Sequence, residues 1–191
     1  FVSRFFSDTE NLHGWRMHYL DEGSAESPYT VLCLPDLPGW SYRYRYLISA
    51  LRTRGLRIIA PDLIGFGMSD KPKKVAAHTM QLHLRSLQSW LMSLGSPKVL
   101  VVAEGQGMHV AQALAQNQMA QVLDVLHVRL APETAPDWLP YPDKGYQAAL
   151  RASPGLVQQL VTAFPCVHEI PTLDGPIEAL AERIKSVFHD G

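Results

Sequence analysis

The stretch Ala60–Pro72 reads APDLIGFGMSDKP. It follows a short apolar run of strand length, Leu56–Ala60, and it contains Gly65 and Gly67. Glycine, aspartate, serine and proline in close succession are typical of a loop. The loop lacks the Gly-Lys-Ser/Thr ending of a phosphate-binding loop, so we expect its glycines to serve the fold and not a nucleotide. The sequence therefore predicts a buried strand that ends in a structured loop.

On either side of this loop, apolar runs of strand length alternate with amphipathic segments of helical length. The expected strands are Phe1–Phe6, Trp15–Leu20, Tyr29–Leu34, Leu56–Ala60, Val99–Val102, Val122–Leu130 and Val167–Ile170. The expected helices are Tyr42–Arg54, Met80–Leu94, His109–Gln121, Tyr146–Ala152, Leu156–Phe164 and Ile177–Phe188. Strands that alternate with helices favour parallel pairing through crossover connections. We expect one α/β domain over 1–191, with helices on both faces of a mostly parallel sheet and Val99–Val102 at its centre.

Composition restricts the kind of protein. The chain has 191 residues, of which 47% are apolar and 18% charged, and its formal net charge is −1. These values are typical of a globular domain with a sizeable core, and they give no electrostatic reason to expect a nucleic-acid partner. No apolar stretch is long enough to predict a membrane span. His78 and His83 lie close in sequence without a supporting cysteine or acidic cluster, so neither a metal site nor a cofactor is predicted.

Two features bear on the cellular compartment. Cys33 and Cys166 both lie in apolar runs, and we expect them to be small buried residues rather than a disulfide, which favours a reducing, intracellular compartment. The sequence begins at Phe1 and not at a methionine, so we expect an N-terminal segment to be missing. A targeting peptide would be lost with that segment, which leaves a mitochondrial location open.

Three further segments follow the same order of motifs as one enzyme family. They are Met17–Gly23 (MHYLDEG), Leu32–Arg45 (LCLPDLPGWSYRYR) and Val101–Ala115 (VVAEGQGMHVAQALA). Together with Ala60–Pro72, they resemble the α/β-hydrolase superfamily, in particular its haloalkane-dehalogenase and epoxide-hydrolase branch. The resemblance implies an α/β-hydrolase fold with the lid and part of the C-terminal half reduced. It also implies a tight turn after Val99–Val102 as the site of the nucleophile.

The residues that the family uses for catalysis are replaced at the matching positions. The resemblance places the nucleophile at Gly105 and the histidine base at Gly175, and glycine has no side chain for either role. Leu37 and Gln106 stand in the segments that form the family's oxyanion hole. The family's His-Gly pair beside Leu37 is Pro35-Asp36 here. We therefore expect a turn that is kept for folding without its catalytic groups.

The third catalytic group, an acid, has no clear counterpart in the sequence. The stretch 131–165 is too short for the family's lid and seventh strand, so we interpret it as a shortened remnant of both. Glu133 stands where some family members place the acid, after the sixth strand. Glu104, His109 and His168 are the other alternative candidates, but none has a partner at motif spacing. We predict no compact catalytic triad.

Two functions remain open at this stage. The leading hypothesis is a catalytically inactive α/β-hydrolase-like protein with a structural or protein-interaction role, such as a subunit of a larger assembly, whose partners are other proteins. The alternative is an active hydrolase of small esters, epoxides or haloalkanes with displaced catalytic residues. A nucleophile, a base and an acid within hydrogen-bond reach of one another would favour the enzyme.

Overall fold

A seven-stranded sheet forms the core of the computed structural model, which describes residues 1–8, 10–130, 144–163 and 172–188. Its strands are β1 (Arg4–Ser7), β2 (Arg16–Glu22), β3 (Thr30–Leu34), β4 (Arg57–Pro61), β5 (Lys98–Ala103), β6 (Gln121–Val128) and β7 (Thr172–Leu173). Their order across the sheet is β1-β2-β4-β3-β5-β6-β7. The pairs β1–β2 and β2–β4 are antiparallel, and the other four pairs are parallel. The expected mostly parallel α/β sheet is confirmed.

Helices pack on both faces of this sheet. They are α1 (Arg45–Arg52), α2 (Met80–Ser93), α3 (Gly107–Gln116), α4 (Lys144–Ala163) and α5 (Ile177–Val187), with 3-10 turns at Ser41–Tyr44 and Val75–Ala77. Alternate residues of β5 belong to the two apolar layers. Val99 and Val101 pack with residues of α2 and α3, whereas Leu100 and Val102 pack with residues of α1 and α5. This alternation follows from the two-residue period of a strand and explains why β5 is a continuous apolar run.

Several boundaries differ from the sequence-based expectation. The strand Val99–Val102 is interior but not central, because β3 has three strands on each side. The helix expected over His109–Gln121 ends at Gln116, and the chain reverses through Gln118 with a φ of 53° before β6 begins. A single residue with a positive φ is enough to end a helix.

The C-terminal part differs in a second way. The two short helices expected over Tyr146–Ala152 and Leu156–Phe164 form one helix, α4, which continues through Pro154. Its buried residues on both sides of the proline, such as Ala149 and Leu156, keep the helix packed on the core in spite of the lost backbone hydrogen bond. The strand expected at Val167–Ile170 lies outside the described residues.

Within the motif Ala60–Pro72, the carboxylate of Asp62 is fully buried and connects several segments of the fold. Its Oδ1 accepts the Ser41 N–H at 2.7 Å, and its Oδ2 accepts the Met68 N–H at 2.8 Å and contacts His18 Nδ1 at 2.9 Å. Buried carboxylates are stable only when such donors surround them. One side chain therefore joins β2, the end of β4 and the segment that leads from β3 into α1.

Candidate functional site

The chain makes a tight turn between β5 and α3. β5 ends at Ala103, Gly105 has a φ of 51°, and α3 begins at Gly107. The Gly107 N–H donates to the Glu104 carbonyl at 3.0 Å, which closes the turn. L-residues with a side chain rarely adopt such a positive φ. The expected turn at Gly105 is thus present in the structure.

The carboxylate of Asp36 fills the space beside this turn. A β-carbon placed on Gly105 would lie 2.3 Å from Asp36 Cγ and 2.4 and 2.5 Å from its two carboxylate oxygens. These separations are far below van der Waals contact, so the two side-chain volumes coincide. A carboxylate thus occupies the space that a side chain at position 105 would enter, and it comes from the loop after β3 and not from the turn.

Two backbone donors hold this carboxylate. Asp36 Oδ1 accepts the N–H of Leu37 at 2.7 Å and the N–H of Gln106 at 2.7 Å. Gln106 is the N-cap of α3, so the positive end of the helix dipole also favours a negative charge here. Within the described residues, Oδ2 accepts no hydrogen bond. In this part of the chain, only Oδ1 is anchored.

The backbone around Asp36 is fixed from two sides. A β-carbon on Gly107 would lie 2.4 Å from the Pro35 carbonyl oxygen, so this glycine allows α3 to pack against the loop that follows β3. On the far side of that loop, Asp62 accepts the N–H of Ser41. Because both ends are held by packing or by a buried hydrogen bond, the carboxylate is preorganised and not a chance rotamer on a free loop.

Glu104 is not available as a nucleophile in this arrangement. Its two carboxylate oxygens accept hydrogen bonds from Arg43, Nη2 to Oε1 at 2.7 Å and Nε to Oε2 at 2.8 Å. Arg43 Nη2 also donates to the Leu130 carbonyl at 2.9 Å. A bidentate pair of this kind fixes both side chains. Arg43 therefore ties the chain after β5, at Glu104, and the chain after β6, at Leu130, to the segment before α1.

The other candidates lie on α3, between β7 and α5, or outside the described residues. His109 is in the first turn of α3, and its buried Nδ1 has no hydrogen-bond partner in the described parts of the chain. Gly175 has a φ of 114° and lies in the short segment between β7 and α5. Glu133 and His168 lie outside the described residues. The prediction that no triad forms stays a prediction.

Sequence reasoning missed Asp36, although a signal was present. The family's Gly is replaced by Asp36 in the loop after β3, while the family's nucleophile is replaced by Gly105 on the turn. Each change by itself looks like the loss of a functional residue. Taken together, they put a glycine on the turn and a carboxylate on the neighbouring loop, and parallel strands bring these two loops to one edge of the sheet.

Comparisons with known proteins agree with this architecture. The family model for the alpha/beta hydrolase fold matches residues 29–162. A haloalkane dehalogenase of Mycobacterium marinum is 35% identical over an alignment 192 positions long, gaps included, which covers 79% of this chain and 63% of the relative. The chain thus spans less than two thirds of that relative's length.

Two solved structures are also similar. A haloalkane dehalogenase from Paraglaciecola agarilytica superposes with a TM-score of 0.72 at 20% identity, covering 98% of this chain and 82% of that chain. An epoxide hydrolase from Vigna radiata superposes with a TM-score of 0.58 at 25% identity, covering 72% of this chain and 42% of that chain. The expected fold class is confirmed by the family match and by these superpositions.

The expectation that the chain is not an enzyme is wrong. The relatives are named as haloalkane dehalogenases, and the structural neighbours are a dehalogenase and an epoxide hydrolase, which point to a hydrolase. Nothing in the comparisons supports a degenerate protein or a subunit of a larger assembly. The expectation rested on the missing side chain at Gly105, and the structure shows the carboxylate of Asp36 in the space beside that glycine.

Proposed function

Because the chain belongs to the alpha/beta hydrolase family, we propose that it is a hydrolase whose nucleophile is the Asp36 carboxylate. The observation that carries the proposal is the position of that carboxylate, with Oδ1 bound by the Leu37 and Gln106 N–H groups at 2.7 Å each. A carboxylate held by one oxygen can attack with the other. The names of the relatives support hydrolysis of a carbon–halogen bond.

The same two donors select among the possible substrates. Ester hydrolysis by direct attack needs free N–H groups to stabilise the charge that develops on the substrate carbonyl oxygen. Here the N–H groups of Leu37 and Gln106 already bind Asp36 Oδ1. Attack on an sp³ carbon places the new charge on the leaving group instead, so it does not need those donors. Haloalkanes therefore fit this site better than esters, and epoxides fit it second best.

The first chemical step forms an ester with the protein. A lone pair on Asp36 Oδ2 attacks the carbon that carries the halogen. The new C–O bond forms as the carbon–halogen bond breaks, and the halide leaves with the bonding electrons. No proton is transferred in this step. Its product is an alkyl ester of Asp36, and the carbonyl oxygen of that ester is Oδ1.

The second step hydrolyses that ester. A water molecule adds to Cγ of Asp36, and negative charge develops on Oδ1, where the Leu37 and Gln106 N–H groups already point. Collapse of this intermediate expels the alcohol oxygen, which takes the proton of the hydroxyl group that water brought to Cγ, and restores the carboxylate; the base then releases the other water proton to solvent. We assign the acceptance of the water proton to His109, because its buried Nδ1 has no partner in the described residues.

The test is halide release by the purified chain and its variants. With 1-bromobutane as substrate, we expect wild-type protein to release bromide and Asp36→Asn to reduce the rate by about a hundredfold or more. Asparagine keeps an oxygen for the two N–H donors but cannot attack. Asp124→Asn is the matched control, because Asp124 is exposed on β6. Bromide release that survives in Asp36→Asn would contradict the assignment.

Mass spectrometry separates the two steps. In His109→Phe, we expect one equivalent of bromide and a persistent butyl adduct on the peptide that contains Asp36. If His168→Phe gives the adduct and His109→Phe does not, the base is the residue outside the described part of the chain. Turnover of a nitrophenyl ester that is faster than turnover of bromobutane would favour the ester alternative.

A further inference from the structure

Two connections join the loop after β3 to the turn after β5. In the first, the Gln106 N–H donates to Asp36 Oδ1 at 2.7 Å. In the second, the Arg43 guanidinium donates to both carboxylate oxygens of Glu104, Nη2 to Oε1 at 2.7 Å and Nε to Oε2 at 2.8 Å. Each connection runs from the stretch 36–43 to the stretch 104–106. The turn is therefore fixed relative to the Asp36 loop at two points and not at one.

We infer that the ion pair between Arg43 and Glu104 positions the Gln106 N–H for the second chemical step, the hydrolysis of the ester. The inference rests on the proposed function, because it takes Asp36 as the nucleophile and its alkyl ester as the intermediate. Neither member of the pair is assigned a contact with the substrate. Both act through the backbone of the turn, so they are positioning residues.

The turn needs such support because Gly105 lies between Glu104 and Gln106. A glycine has access to more backbone conformations than other residues, so it does not by itself fix the direction of the next N–H. The backbone of Glu104 is already held, since its N–H donates to the Leu34 carbonyl at 3.2 Å and its carbonyl accepts the Gly107 N–H at 3.0 Å. With its side chain bound as well, Glu104 gives the turn a fixed starting point.

The guanidinium of Arg43 is bound to three oxygen atoms, because Nη2 also donates to the Leu130 carbonyl at 2.9 Å. The side chains of Arg43 and Glu104 are 22% and 15% exposed, so salt and water screen their attraction weakly. A bidentate pair fixes orientation as well as distance, whereas a lysine offers a single point charge. Arg43→Lys therefore keeps the charge and removes the geometry.

The two chemical steps depend on this geometry to different extents. In the first step negative charge leaves the Asp36 carboxylate, so a well-placed N–H at Oδ1 gives no advantage. In the second step negative charge returns to Oδ1, and a donor that is already in place stabilises it. We expect loss of the ion pair to displace this donor, to slow decay of the ester about tenfold or more and to leave its formation nearly unchanged.

A second ion pair of the same kind provides a matched control. Arg57 donates to Asp21 in a bidentate manner, Nε to Oδ1 and Nη2 to Oδ2 at 2.9 Å each, and the two side chains are 9% and 17% exposed. Arg57 is the first residue of β4, at the amino ends of the parallel strands, whereas the turn lies at their carboxyl ends. Arg57→Lys thus removes comparable geometry away from the site.

The kinetic part of the experiment follows the ester directly. Excess protein is mixed with 1-bromobutane, and quenched samples are analysed for bromide and for the butyl adduct on the peptide that contains Asp36. We expect bromide to appear at the same rate in wild type, Arg43→Lys, Glu104→Gln and Arg57→Lys. The adduct should persist about tenfold longer in Arg43→Lys and Glu104→Gln only. Once its decay limits turnover, kcat and KM fall together, which a loss of folded protein does not produce.

Amide NMR tests the same geometry without turnover. The Gln106 N–H resonance reports its hydrogen bond to Asp36 Oδ1, and we expect it to move upfield in Arg43→Lys and Glu104→Gln as that bond lengthens. The Leu37 N–H bonds the carboxylate of the residue before it, so its resonance should stay in place. Glu104→Gln carries both measurements if Arg43→Lys does not fold.

The outcomes separate the inference from the proposed function. Wild-type turnover, with adduct decay and a Gln106 resonance that stay unchanged in both variants, overturns the positioning role and leaves the function standing. Adduct decay that is equally slow in Arg57→Lys also overturns it, because any lost ion pair would then have the effect. No bromide from wild type, together with a shifted Gln106 resonance, overturns the function but supports the pair as the device that positions this N–H. No bromide and an unshifted resonance overturn both.

Discussion

The carboxylate of Asp36 occupies the volume in which a side chain at Gly105 would lie. A β-carbon at Gly105 would meet Asp36 Cγ at 2.3 Å, and Gly105 itself has a φ of 51°. A side chain and the Asp36 carboxylate therefore cannot both be present without a shift of the backbone.

This relationship predicts strong coupling between the two positions. Gly105→Asp alone should reduce the free energy of unfolding by about 2–4 kcal/mol, from the steric overlap and the positive φ. Adding Asp36→Gly should recover more than about 1 kcal/mol of that loss, because it removes the overlap. Urea denaturation of both single variants and the double variant measures the coupling. Strictly additive effects would show that the two side chains do not share this space.

The buried carboxylate of Asp62 should be among the most sensitive positions of the fold. Asp62→Ala would leave the N–H groups of Ser41 and Met68 buried without an acceptor, and we expect a loss of about 3–5 kcal/mol in the free energy of unfolding. Asp70 on the same loop is paired with the exposed Arg16, and Asp70→Ala should cost about 1 kcal/mol or less. Equal losses at the two aspartates would contradict the role assigned to Asp62.

His83 should make the protein sensitive to acid. Burial lowers its pKa to about 4 in the folded state, while the unfolded chain has the ordinary value of 6.5. Between these values the unfolded state binds the proton and the folded state does not, so stability falls as the pH drops from 6.5 toward 4. The full effect is about 3 kcal/mol.

Chemical denaturation at pH values across that interval measures this effect. His83→Leu should flatten the dependence of the free energy of unfolding on pH, whereas His13→Asn, at an exposed position, should leave it unchanged. A slope that is the same in wild type and His83→Leu would assign the acid sensitivity to another group.

Cys33 should be unreactive in the folded protein. It is fully buried in β3, and burial raises the pKa of its thiol well above its ordinary value, so the thiolate is scarce at any pH at which the protein is folded. Peptide mapping after iodoacetamide treatment at pH 8 should find Cys33 labelled only when denaturant is present. Rapid labelling of the native protein would mean that β3 opens readily.

The sequence alone predicted the strands in which successive residues are all buried. β3 and β5 are buried on both faces, and such strands appear as continuous apolar runs. Helix α4 was predicted in two pieces, because a local rule treats Pro154 as a break, whereas packing on the core decides the outcome.

The candidate site was harder to predict for a different reason. The places of Gly105 and Gly175 follow from motif order, so their lack of a side chain is visible in the sequence. The role that we propose for Asp36 depends on a contact between two loops that are far apart in the chain. A sequence motif shows which side chain is missing at a position. It does not show which residue from a distant part of the chain occupies the space of that side chain in the fold.

The paired N–H groups of Leu37 and Gln106 also separate the location of a charge from the residue that bears it. Backbone donors are set by the course of the main chain, so substitutions of side chains leave them in place. A carboxylate on either of the two loops can then bring negative charge to the same point, without a change in the course of the turn. A comparison of aligned positions, one at a time, does not detect a carboxylate that is supplied by a different loop. A coordinate search for carboxylates bound by converging N–H groups would recover relatives whose motifs look broken.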